Sequence, residues 1–204
     1  MKHVLVETNF LVGVVRPFPQ ATAEKLLRRN GSDVTVHVPW CSVTETRRTI
    51  HRIIDDDLGF DQSMSKFAVR ELLPAADHVG LATLDAFAKR VRDARRVAKA
   101  SADSRIDALA TALRVIPPSP DVIAETLRIW RVKKLPPFDE MILGAVMAKA
   151  VELHRNGERE IFFCNLNKSD FSPHDRGGGA VTRPNLEAEY ARCGLTYLAS
   201  FDVP

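Results

Sequence analysis

The chain has 204 residues, of which 45% are hydrophobic and 27% charged, with a formal net charge of +3. That balance excludes a largely disordered chain and suits a globular domain, while so small a positive excess says little by itself about nucleic acid. Cys41, Cys164 and Cys193 form no C-x-x-C pair, which argues against a structural zinc site and fits a reducing cytoplasm.

Val4-Leu5-Val6 is short, apolar and β-branched, the pattern of a strand buried on both faces of a parallel sheet. Pro17 and Pro19 mark a loop, and a helix is expected from Ala21 to Asn30, with Gly31 as its C-terminal cap. Val34 to Val38 reads as the second strand, closed by Pro39, and the next helix starts near Ser42. From about Asp61 to Arg131 the pattern is helical with no strand signal, broken near Pro74 and Pro117-Pro118 and restarted at Ser119-Pro120-Asp121. Met141 to Leu153 is an apolar helix, Glu160 to Cys164 a third strand, Asn185 to Arg192 a short helix and Leu195 to Phe201 a last strand. The apolar run at Val4 is too short for a signal sequence, and the one at Met141 stops at Lys149, too early to span a bilayer. Strands alternating with helices imply an α/β fold with a parallel sheet, a single domain over 1–204 with a helical insertion at about 61–131.

Four acids fall at strand ends or helix starts: Glu7, Glu45, Asp139 and Asp170. In open parallel sheets ligands bind beyond the carboxyl ends of the strands. Carboxylates gathered there repel one another unless a hard cation neutralises them. Each also has an ordinary reading. Ser42-Val43-Thr44-Glu45 spells a capping box, Asp139 follows two prolines as a helix cap would, and Asp170 suits a turn. Glu7 is the hardest to dismiss, because a charge ending a buried strand needs a partner.

These residues resemble the motifs of the PIN-domain family of metal-dependent nucleases. Glu7-Thr8-Asn9-Phe10-Leu11 resembles its strand ending in Asp-Thr-Asn, with glutamate at the usual aspartate position. Pro39 followed by Glu45, Asp139 opening an apolar helix, and Asn165-Leu166-Asn167-Lys168-Ser169-Asp170-Phe171 resemble its other three elements, in family order. The resemblance spans residues 4 to 171 and implies a PIN-like α/β/α fold, closest to the larger bacterial members.

It further implies hydrolysis of RNA phosphodiesters with Mg²⁺ or Mn²⁺ held by Glu7, Glu45, Asp139 and Asp170, as catalytic and metal-binding residues. Thr8, Asn9, Asn165 and Asn167 would orient these ligands or touch substrate, and Arg48, Arg131 and Lys134 would contact phosphates. Single-stranded RNA is the expected substrate and a cytoplasmic toxin or defence effector, with an antitoxin-like protein partner, the expected setting. A non-catalytic module binding RNA or protein is one alternative, and a structure-selective DNA nuclease another. Trp40 and Trp130 read as core residues, with base stacking as the alternative. The basic run Lys89 to Lys99 and the triplet Asp55-Asp56-Asp57 read as solvated helix surface, and Gly177-Gly178-Gly179 as a mobile loop beside a solvated His174.

Overall fold

The computed structural model of the chain describes residues 1–16, 19–57, 78–133, 135–173 and 186–204. The strands are β1 (Lys2–Val6), β2 (Val34–Pro39), β3 (Arg114–Ile116), β4 (Ile161–Cys164) and β5 (Leu195–Leu198). The helices are α1 (Thr8–Val15), α2 (Ala21–Arg29), α3 (Trp40–Asp57), α4 (His78–Ala112), α5 (Pro120–Lys133), α6 (Pro137–Arg155), α7 (Lys168–Phe171) and α8 (Glu187–Arg192). All five strands are parallel, in the order β3-β2-β1-β4-β5.

The side-chain alternation of β1 sorts the core into two layers. Val4 and Val6 join Val34, Val36 and Val38 against Phe10 and Leu11 of α1 and Ala23 and Leu26 of α2. Leu5 points to the other face, where Ile161, Phe163 and Leu195 meet Ile129 of α5 and Leu143, Val146 and Met147 of α6. The result is a three-layer α/β/α arrangement. Val12 to Val15 are buried along with Phe10 and Leu11, so α1 has little polar face and no helical period to read.

Gly144 of α6 sits hard against α5. A Cβ there would lie 2.7 Å from Thr126 Cα and 2.8 Å from Thr126 N, so the two helix backbones meet where a side chain would otherwise stand.

The chain divides into two compact units, one formed by Met1–Thr46 with Ile106–Pro204 and one by Arg47–Arg105. The sheet belongs wholly to the first. The second is helical throughout its described residues, and Asp103 within it accepts from Arg47 Nε at 3.1 Å and lies 3.0 Å from His51 Nε2. Lys99 and Asp55 also pair there, at 2.7 Å, so neither is purely a solvated surface residue. Lys89, Arg90, Arg92 and Arg96 are exposed, in keeping with the solvated reading of that run.

Two sequence expectations are corrected. Arg114–Ile116 is a strand, inside a stretch expected to be helical alone. It pairs with His37–Pro39 at the sheet edge, and Arg114 and Val115 are exposed, so it lacks the continuous apolar run of a central strand. Helix α1 was not expected at all, because its all-round burial hides its period. Among the described residues, no helix is long and apolar enough to cross a membrane. Gly177–Gly179, His174 and Lys134 lie outside the described residues.

Candidate functional site

The strand order places β1 at a switch point. The chain steps outward from β1 to β2 and β3, then returns to lay β4 on the other side of β1. Connections leaving neighbouring strands in opposite directions open a crevice beyond their carboxyl ends. Glu7 follows β1 there, and Asn165 follows β4.

Glu7 is the N-cap of α1. Its Oε2 accepts from the Asn9 backbone N–H at 2.9 Å, satisfying one of the free donors of the first turn. The residue is only 3% exposed, and its Oε1 is buried without a hydrogen-bond partner. Burial pushes the Glu7 carboxyl up to about 7 against the pull of the Asn9 N–H, and the Glu45 and Asp139 carboxylates push it further.

Glu45 comes from α3. That helix begins at Trp40, directly after β2, so Ser42 lies within its first turns rather than at its cap. The capping-box reading of Ser42 to Glu45 is therefore corrected. Ser42 Oγ is buried without a partner, and the Glu45 Oε2 carboxylate oxygen accepts instead from the Thr8 hydroxyl. Thr8, 7% exposed, thus ties the start of α1 to α3.

Asp139 lies in the first turn of α6, whose N-cap is Pro136, so it is not the cap itself. Burial raises its carboxyl to about 6, with further push from Asp170 and Glu45. Asp170 lies in α7, which Phe171 anchors: that ring is 1% exposed, packs edge-on to Phe163 at 5.6 Å, and its carbonyl accepts from Tyr190 OH at 2.7 Å. Asn167 Nδ2 donates to Asp170 Oδ2 at 2.6 Å. Asn165 is fully buried; its Oδ1 accepts from the Asn167 N–H at 2.5 Å, closing the turn after β4, while its Nδ2 has no partner.

Glu7 thus feels the charges of Glu45 and Asp139, and Asp139 those of Asp170 and Glu45, all four within the first unit. Among the described residues, however, no three His, Cys, Asp or Glu side chains converge tightly enough to hold an ion directly. The donor chemistry does fit a hard divalent cation. All the donors are oxygens, one buried carboxylate oxygen is unsatisfied, and Mg²⁺ ordinarily keeps several waters between itself and its protein ligands.

Other predicted residues fall elsewhere. Arg48 is exposed and belongs to the Arg47–Arg105 unit. Arg131 is exposed on α5. Trp40 is half-buried against the core, as read from the sequence, but Trp130 is 58% exposed, which corrects its reading as a core residue. Its position on α5 turns away from the buried Val122 and Ile129, along the stripe of Ile123 and Leu127, which are also exposed. Sequence reasoning passed over Glu140, a carboxylate 7% exposed beside Asp139; the acidic pair opening α6 was its available signal. No family model and no curated protein matches the chain.

Proposed function

We propose that the chain is a PIN-like, metal-dependent endoribonuclease acting on single-stranded RNA with Mg²⁺ or Mn²⁺. One observation carries this reading: Glu45 of α3 and Asp139 of α6 lie near enough to Glu7, and Glu45 and Asp170 of α7 near enough to Asp139, to add to the rise that burial gives the Glu7 and Asp139 carboxyls, beside a buried and unpartnered Glu7 oxygen. Such a group is costly unless a positive charge joins it.

A divalent cation, when bound, would acidify and orient a water and offset charge gathering on the phosphoryl oxygens. Glu7, Glu45, Asp139 and Asp170 would hold it, in part through water. Thr8 fixes Glu45 and the Asn9 N–H fixes Glu7, so the ligands are oriented before substrate arrives. Asn167 does the same for Asp170. Arg131 offers an exposed cation to the phosphate backbone. On this reading the 47–105 unit is an insertion in a single PIN-like domain, and the setting is that of a toxin or defence effector.

A second reading, a module that binds RNA or a protein partner without cutting, is favoured by the commitment of Glu7 Oε2 to capping α1. One experiment separates the readings. Purified protein is given matched RNA and DNA single strands with Mn²⁺, Mg²⁺ or excess chelator. The nuclease reading expects RNA cleavage with metal, none in chelator, and none by Asp139→Asn. Cleavage in chelator, or metal-dependent cleavage untouched by Asp139→Asn, refutes it. Cleavage confined to DNA selects the DNA nuclease, and RNA binding without cleavage selects the binding module.

A further inference from the structure

An apolar strip runs along the outer side of α5, where Ile123, Leu127 and Trp130 are each at least half exposed. Their spacing of four and then three residues keeps them on one face of the helix. Single exposed hydrophobic residues are ordinary, but a continuous row of large ones marks a contact surface.

The strip ends beside the acidic residues. Helix α5 closes at Lys133 and α6 opens at Pro137, so the two form an antiparallel hairpin. Gly144 of α6 lies against Thr126 of α5. Four residues onward along α5 and four back along α6, Trp130 comes level with Glu140, in the turn that carries Asp139. Leu127, one turn before Trp130, shares a groove with Trp40 of α3 and Met141 of α6, the helices that supply Glu45 and Asp139. Phe138, next to Asp139, is exposed as well. The bare rings therefore stand at the acidic end of the strip, and the aliphatic Ile123 and Leu127 lie further from it. All of these residues belong to the first unit.

The chemistry at that end suits a single nucleic-acid strand. Arg131 follows Trp130, is exposed, and has no acidic partner among the described residues. An indole face accepts any base by stacking, and an adjoining cation is complementary in charge to the phosphate. A protein partner would instead use the whole row, Ile123 and Leu127 included.

We propose that Trp130 seats one unpaired base of an RNA strand on its indole face, with Arg131 on the adjoining phosphate, and so holds the strand beside the acidic residues. The proposal deepens the nuclease reading and rests on it for its substrate. The test is titration of the full chain, in excess EDTA, with a labelled single-stranded RNA of about ten nucleotides. Affinity is read from the anisotropy of the label. Trp130→Leu keeps the apolar bulk and loses the ring, and should weaken binding by about 5–150-fold. Trp130→Tyr should recover part of the affinity. Trp130 is exposed, so both variants should melt as the parent does. Arg131→Ala should lower the slope of log affinity against log salt by about 0.7, whereas Trp130→Leu should leave it unchanged. An abasic strand should bind the parent and Trp130→Leu equally, and Ile123→Ser should bind RNA as the parent does. The proposal is wrong if no RNA binds, if Trp130→Leu binds like the parent, or if it loses the abasic strand as well. It is also wrong if Ile123→Ser costs as much, or if Trp130→Leu dissociates an oligomer of the parent in sedimentation, which would make the strip a protein contact. Metal-dependent cleavage untouched by Trp130→Leu would sink the base seat alone, and ring-dependent binding without cleavage would sink the nuclease reading alone.

Discussion

Replacing Glu7 by glutamine should stabilise the metal-free protein at pH 8 and have a much smaller effect at pH 5. The Glu7 carboxyl lies at about 7 in the folded chain, against an ordinary value of 4.5. The folded state therefore holds this proton more tightly than the unfolded state, and stability declines as pH climbs through that window. Its contribution is complete below about pH 4.5 and gone above about pH 7. A raised value of this size corresponds to about 3 kcal/mol in all, of which about 2.5 kcal/mol falls between pH 5 and pH 8. Glutamine keeps an oxygen for the Asn9 N–H and carries no charge, so it escapes this loss. The assay is urea unfolding of both forms in excess chelator at the two pH values, read as the difference between them. The difference is the useful quantity because His37 acts in the opposite direction. Its imidazole is depressed by burial, so its stabilisation is present above about pH 6.5 and is lost as pH falls towards 3. Adding Mn²⁺ at pH 8 should narrow the gap by stabilising the parent selectively. An advantage for Glu7→Gln that is the same at pH 5 and pH 8 would refute an uncompensated buried carboxylate at this position.

Gly144→Val should force α5 away from α6 and cost about 1–3 kcal/mol, seen as a lowered melting temperature; an unchanged melting temperature would mean that the helices do not meet there. Phe163 is fully buried and its ring packs with Phe171, Tyr190 and Tyr197, so Phe163→Ala should cost about 3–5 kcal/mol in chemical unfolding. Trp130→Ser, at an exposed position, should change stability by no more than about 0.5 kcal/mol in the same assay. Imidazole NMR should show His37 neutral from pH 8 to pH 5; a midpoint near 6.5 would mean that water reaches the ring freely.

The strands most legible in the sequence were those buried on both faces. Val4-Leu5-Val6 and Ile161 to Cys164 are continuous apolar runs because helices cover both sides of them. Arg114–Ile116 gave no such run because it is a short edge strand. Glu45 was located correctly on its helix but given the wrong local partner. Motif spacing cannot reveal that α3 starts directly from β2, nor that Thr8, distant in sequence, supplies the hydroxyl. The His3–His37 pair was overlooked, although a histidine inside each of two apolar strands was a readable sign of a polar pocket beneath them. Trp130 was misjudged because residue type predicts average burial, whereas its place on the outer side of α5 decides the actual one.

The central position of β1 sets an order on folding. His3 can pair with Thr35 as soon as β2 is made, but its other neighbour, Ile161, arrives only after the whole helical stretch has been synthesised. Closing so long a loop is slow, and until it closes the apolar β1 edge remains unpaired. A nascent or truncated chain ending before β4 would therefore expose that edge, to be met first by chaperones or by another unfinished copy.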